Sequence, residues 1–368
     1  MIAAAGMAAS LGCAADTCCA AARAGVVRLA ELQNLNFAGY QEFGRETEDG
    51  FPPVVGHAAP LEYGYAGEAR LMVLGALALR DLLEQRPDLS GGAAGTALYL
   101  NLSDRYVEQV YAKSSEADGP PKPEPLGGSR LMEFMLSRAG LAFPQRNCRV
   151  HRAGRVGFVR ALSDALRAIA QGSFERCIVG AVDCCFEPGF LVAAAGLRIL
   201  RTGDNPVGFL PGEAACFLLL ERPGPAIRGL CVCGVAFGEG APGEFDETPS
   251  TGECLADTVA AAIESSRPKI PEVGYWLGDL NGTERRAIDW GHAIVRLQGR
   301  YRFPNLRTWI PAASFGEIGA ASGAVGIAMV LKAHERGYAP GATSVVWLSA
   351  ESGHRAAIVL SSDPAARG

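Results

Sequence analysis

The chain contains no run of 18 or more apolar residues free of charge, so no membrane-spanning helix is expected. Its small, apolar start, MIAAAGMAASLGCAAD, lacks the basic segment that a secretory signal needs. Ser10-Leu11-Gly12-Cys13 resembles a lipoprotein cleavage site, but Ser10 stands where an aliphatic residue is required. A buried first strand ending in a glycine turn accounts for the segment better. No basic stripe or polybasic cluster interrupts a net charge of −5, so neither nucleic acid nor an anionic membrane is indicated as a partner. The adjacent pairs Cys18–Cys19 and Cys184–Cys185 have neither CxxC spacing nor a nearby histidine, which argues against zinc. No cofactor is expected. The 11 cysteines are an odd number in a large chain, and Cys177, Cys216, Cys231 and Cys233 lie in apolar runs. That usage fits reduced, buried side chains and a cytoplasmic protein rather than a disulfide framework.

What is present is a large core and a strong alternation. Of 368 residues, 49% are hydrophobic and 20% charged, enough for one large domain or two ordinary ones. Short apolar runs alternate with helix-period segments, the pattern of an α/β protein. Strands are predicted at Ile2–Met7, Gly95–Leu102, Arg146–Val150 and Cys177–Val182, with two more in Val207–Glu221 about a turn at Pro211-Gly212-Glu213. Between them helices are predicted at Asp16–Gly25, Gly67–Gln85, Ser129–Gly140 and Val156–Gln171. Prolines 120, 121, 123 and 125 make Ser114–Gly128 a loop. The same order then recurs: strand Gly229–Phe237, helix Glu253–Ser266, strand Gly274–Leu280, helix Thr283–Leu297, strand Thr308–Ala312, helix Ile318–Arg336. A hairpin, Ser344–Ser349 and His354–Ser361 about Glu351-Ser352-Gly353, closes the chain. Two similar halves, residues 1–222 and 223–368, are therefore expected.

Five segments carry a resemblance, in order, over almost the whole length. Gly6–Gly12 (GMAASLG) resembles a glycine-rich first turn, and Gly172–Asp183 (GSFERCIVGAVD) resembles the strand that follows a nucleophile helix. Gly208–Glu221 (GFLPGEAACFLLLE) resembles a GF-x-x-GEGA hairpin. Leu280–Asp289 (LNGTERRAID) resembles HGTGT-x-x-x-D, with Gly282, Thr283 and Asp289 in register. Gly316–Leu331 (GEIGAASGAVGIAMVL) resembles a GH-x-x-AAG helix. Together they resemble the β-ketoacyl synthases. The resemblance implies the thiolase-like fold: two βαβαβαββ halves packed as an α/β/α/β/α sandwich of five layers.

That family uses a cysteine at the N-terminus of a buried helix, where the dipole favours thiolate. Counting back from the GAVD strand puts this position at Arg155, which stays protonated and is no nucleophile. Gly154, Val156 and Gly157 beside it cannot serve either. The two histidine positions fall on Asn281 and Glu317. Asparagine can donate a hydrogen bond, and active branches with Cys-His-Asn exist; a carboxylate at the second position would repel a developing oxyanion. His151, just before the helix, and Cys148, on the strand leading to it, are the candidates for a rescue. The remaining histidines are His57, His292 after Asn281, and His334 and His354, both expected in solvent. The acidic residues Glu239, Glu244, Asp246 and Glu247 are likewise expected in solvent. Arg155 and Glu317 come from opposite halves, so either they pair and plug the site, or Arg155 points into a remaining channel.

Three functions follow from the resemblance. The first is a degenerate synthase homologue that dimerises and serves as a binding partner or adaptor, like accessory proteins encoded beside type VI secretion effectors. The second is the inactive partner of a ketosynthase heterodimer, like a chain-length factor. The third is an acyl-thioester enzyme using altered residues. Acyl carrier protein or acyl-CoA are the further partners it implies.

Overall fold

The computed structural model describes residues 1–31, 54–61, 65–90, 95–103, 127–224, 229–270, 272–301, 303 and 306–363. Most of the loop predicted over Ser114–Gly128 lies outside them, as does most of the polar stretch before Leu61.

The strands fall into two five-stranded sheets. The first holds β1 (Ile2–Ala9), β4 (Thr96–Leu102), β5 (Cys148–Arg152), β6 (Arg176–Cys184) and β7 (Glu213–Glu221) in the order β1-β7-β6-β4-β5. The second holds β8 (Cys231–Gly238), β9 (Tyr275–Gly278), β10 (Thr308–Trp309), β11 (Thr343–Ser349) and β12 (Arg355–Ser361) in the order β8-β12-β11-β9-β10. The two orders are the same when each sheet is counted from its own first strand. In both, the last strand, β7 or β12, is antiparallel to its two neighbours, and the other pairs are parallel. A small ribbon, β2 (Ala30–Glu31) with β3 (Val55–Gly56), stands apart.

Helices fill the crossovers. In the first half these are α2 (Gly67–Gln85), α3 (Gly128–Ala139) and α4 (Gly154–Ala170); α1 (Ala15–Arg23) follows β1. In the second half they are α6 (Glu253–Ser265), α7 (Glu284–Gln298) and α9 (Ser322–Glu335), preceded by the short α8 (Ala312–Phe315). Helices α2 and α3 cover the outer face of the first sheet, and α6 and α7 that of the second. Between the sheets, α4 and α9 pack on both and on each other, which gives the α/β/α/β/α layering. The middle layer explains the composition. Both sheets are buried on both faces, so β4 and β7 read as continuous apolar runs rather than alternating ones. Helix α9 is buried nearly all round and small-residued because a Cβ on Gly323 would come 2.7 Å from Phe158 of α4.

Several boundaries differ from the sequence reading. Strand β1 runs on to Ala9, and β5 starts two residues late, after a single 3₁₀ turn at Gln145–Asn147. Val207–Glu221 gives one strand, not two: Phe209 makes only an isolated bridge to Leu200, because Pro211 interrupts the ladder. Thr308–Ala312 is cut short by Pro311, which opens α8. Helix α5 (Pro188–Gly196) was hidden in the apolar run FLVAAAG, which has no amphipathic face; Glu187 caps it through the Gly189 and Phe190 amides.

Candidate functional site

The C-terminal ends of β4, β6, β9 and β11 meet the N-terminal ends of α4 and α9 at one buried point. Arg155 sits there, in the first turn of α4 and 2% exposed. Gly154 before it takes φ = 54°, a left-handed turn that aims the next side chain inward. Asn101 at the end of β4 secures the turn, its Nδ2 donating to the Gly154 carbonyl at 2.7 Å.

Arg155 is wholly committed. Its Nη2 pairs with Glu317 Oε2, its Nε donates to Glu351 Oε1 at 2.9 Å, and its Nη1 donates to Ser322 Oγ at 2.9 Å. Asp279 Oδ2 lies 3.8 Å from Nη1. A second buried arginine, Arg286 of α7, bridges the same acids: Nη1 to Asp279 Oδ2 at 2.9 Å and Nη2 to Glu351 Oε1 at 2.7 Å. Two guanidiniums and three carboxylates thus share one dry site. Burial opposes the charge on Arg155, but Glu317, Glu351 and Asp279 outweigh it and hold its pKa well above the usual value. Burial likewise opposes ionisation of Glu317, yet Arg155, Arg286 and the Asn281 amide drive its carboxyl down to about 2. The carboxylates also offset the unfavourable end of the α4 dipole that Arg155 occupies.

The three sequence-predicted positions come together. Asn281 Nδ2 donates to Glu317 Oε2 at 2.6 Å, and Asn281 Oδ1 accepts from the Thr283 N–H and hydroxyl at 3.1 and 2.9 Å. Glu317 Oε1 accepts from the Gly319 N–H at 2.6 Å. Arg155 therefore pairs with Glu317 and does not point into an open, solvated channel. Beside it, a space of about 10 Å³ is bounded by Asn281, Glu317 and Trp347. On the side of Asp183 and Cys185 a second holds about 40 Å³. A water needs roughly 10–15 Å³ and small-molecule sites roughly 300–1,000 Å³. Among the described residues, the site has room for a few waters and none for a thioester.

The rescue candidates lie elsewhere. Cys148 begins β5 and packs against the apolar cluster under α2 and α3; burial raises its thiol pKa, which disfavours thiolate. His151 Nε2 faces Asp164 Oδ2 at 3.7 Å, and burial lowers its pKa. Four residues escaped the sequence reading. The sequence places Glu351 in a hairpin turn and singles out neither Arg286 nor Asp279, yet all three are buried in the network. His57, 1% exposed and bound through its backbone N–H to the Pro211 carbonyl at 2.8 Å, places its ring against Gly316, next to Glu317; burial lowers its pKa to about 4. No periodicity in the surrounding VVGHAAP points to that position. His334 is half-buried rather than solvated, with Nε2 3.2 Å from the Tyr275 hydroxyl, and Glu244 is held in a protected position where burial raises its pKa.

Asp183, one layer behind Glu317, titrates in the opposite sense. Burial raises its pKa from 3.8 to about 6, against hydrogen bonds from the Ala320 and Cys184 amides. Its proton is bound more tightly folded than unfolded, so its contribution to stability falls as pH rises from about 4 through 6. Comparing wild type with Asp183→Asn by urea unfolding should therefore show the wild type losing on the order of 2–3 kcal/mol relative to the variant over that window. A pH-independent difference would remove the raised pKa.

No family model matches the chain, nor does any curated protein. Solved structures do. A chain of the AntDE:AntF complex, a type II PKS acyl-carrier protein with its ketosynthase, is 15% identical over 98% of each chain, with a TM-score of 0.73. A ketosynthase (ApeO) solved with its chain length factor (ApeC) from Xenorhabdus doucetiae gives 16% identity, 98% and 97% coverage and a TM-score of 0.63. The ishigamide ketosynthase/chain length factor gives 20% identity, 98% of each chain and a TM-score of 0.63. The chain has the thiolase-like fold of these ketosynthase proteins; identities this low carry no chemistry across.

Proposed function

We propose that this chain is a catalytically degenerate β-ketoacyl synthase-like protein that works as a binding partner rather than as a condensing enzyme. The observation that carries this reading is Arg155: a fixed cation, fully paired with Glu317 and Glu351, fills the place where a nucleophilic thiol would be needed. Asn281 directs an amide N–H at Glu317, whose carboxylate would repel a substrate oxyanion at this place. The repeat halves, residues 1–222 and 223–368, are then retained for the surface they build. An adaptor role toward a secreted effector, of the type VI kind, rests on the family resemblance.

A second reading is an inactive subunit paired with an active ketosynthase. It is favoured by two observations: solved relatives that contain chain length factors, and strand β5, which ends the first sheet with its outer edge unpaired among the described residues. In either case the partner is a protein, with acyl carrier protein or acyl-CoA as further candidates, and the assembly a homodimer or heterodimer. No helix among the described residues is long and apolar enough to cross a membrane.

The test is intact-mass spectrometry after incubation with acetyl-, malonyl- and long-chain acyl thioesters of CoA and of acyl carrier protein. We expect the unmodified mass throughout. A stoichiometric acyl adduct would overturn the proposal, and peptide mapping would name the nucleophile.

A further inference from the structure

Away from the Arg155 network, a groove runs between the C-terminal end of α1 and the outer edge of β10. Two depressions of about 670 and 550 Å³ share Cys19, Arg23 and Tyr338 and form one continuous trough. Its floor is apolar: Trp309, Met329 and Tyr338, with Trp309 tilted against Tyr275 at 4.9 Å and lying 6.2 Å from Tyr338. Two large apolar side chains that line it stand in solvent, Val27 at 53% exposed and Ile310 at 36%, and Val26 and Leu306, each next along the chain to a lining residue, are exposed as well. Single exposed apolar residues need no explanation, but a cluster lining a trough does.

Charge sets the groove apart from the rest of the chain. Arg23, Arg307, Lys332 and Arg336 line it, against one acid, Asp16, on a chain of net charge −5. Lys332 is held by Glu335 at 2.9 Å and Asp16 at 3.1 Å, and Arg336 by Asp16 at 2.8 Å. Arg23 instead lies over the Tyr338 ring at 4.0 Å and makes no ion pair among the described residues.

The trough also has a backbone edge. Strand β10 ends the second sheet, in the position that β5 has in the first, and pairs only with β9 among the described residues. The Arg307 carbonyl accepts from the Trp276 N–H at 2.9 Å, so strand alternation turns the Thr308 backbone groups to the groove side.

We propose that this groove binds an extended acidic peptide segment of a partner protein, with apolar side chains on the Trp309–Tyr338 floor and carboxylates toward Arg23 and Arg307. A strand edge beside apolar and cationic lining residues is the layout that strand addition uses, which favours an extended peptide. This site is independent of whether the Arg155 position is catalytic.

The probe is a fluorescein-labelled ten-residue peptide alternating Phe or Leu with Asp or Glu, followed by anisotropy. Its companions are the same peptide with Lys for the acids, the same with Ser for the apolar residues, and phosphatidylserine vesicles. Saturable binding of the acidic apolar peptide alone is expected. Salt should weaken it, and Arg23→Glu with Arg307→Glu should weaken it by about tenfold or more with an unchanged melting profile. The proposal falls if the acidic apolar peptide does not bind, if the Lys peptide binds equally, if the double variant binds unchanged, or if only the vesicles bind.

Discussion

Arg155→Met should lower the free energy of unfolding at pH 7 by about 3–5 kcal/mol, the usual cost of removing one member of a buried ion pair. The reason is what it leaves behind. Glu317, 3% exposed, and Asp279 would stay in a dry site with only Arg286 to answer three carboxylates. Methionine fills most of the volume, so lost packing contributes little. Adding Glu317→Gln removes one stranded charge, and the double variant should lose clearly less than the sum of the two single losses. Urea unfolding of the four proteins measures the coupling. Additive losses would mean that the pair observed between Nη2 and Oε2 is energetically idle. By the same logic Arg155→Cys is not expected to give a reactive thiol. Its thiol would face Glu351, Glu317 and Asp279, and their field raises a thiol pKa where catalysis needs it lowered.

A loss of similar size, about 3–5 kcal/mol, is expected from Arg70→Leu in the other half of the molecule. Arg70 of α2 forks onto Glu213, which opens β7 and is 0% exposed. Glu213 Oε1 also accepts the Ala59 N–H at 2.7 Å, so this carboxylate ties α2, β7 and the segment after β3 together. Among the described residues one guanidinium serves Glu213, whereas Arg286 shares the load at Arg155. A change in the urea midpoint equivalent to less than about 1 kcal/mol would show that the pair is replaced by solvent. Gly212 beside it cannot vary, since a Cβ there would meet the Phe315 carbonyl at 2.1 Å. The turn Pro211-Gly212-Glu213 is therefore a structural joint, not a ligand set.

These two ion pairs divide what was legible from what was not. Strand and helix positions were readable because burial on both faces writes itself locally, as continuous apolar runs in β4 and β7 and as helical periods in α2 and α4. The recurrence was readable because the same run of periods occurs twice, and the two sheets have the same strand order. The short elements were not. Helix α5 has no polar face, and β10 is two residues long.

At the site, the residue types at 155, 281 and 317 were decided by the sequence alone: arginine offers no nucleophile, and glutamate no oxyanion donor. Whether that arginine was sealed in or open to solvent was decided only by tertiary structure. Its partners are remote along the chain, Glu351 lying 196 residues away and itself 65 from Arg286. Charge pairing depends on distance in space, and a local pattern holds no record of which strand ends converge. Packing the two sheets about α4 and α9 brings five charged groups into one buried volume, and that convergence closes the site around Arg155.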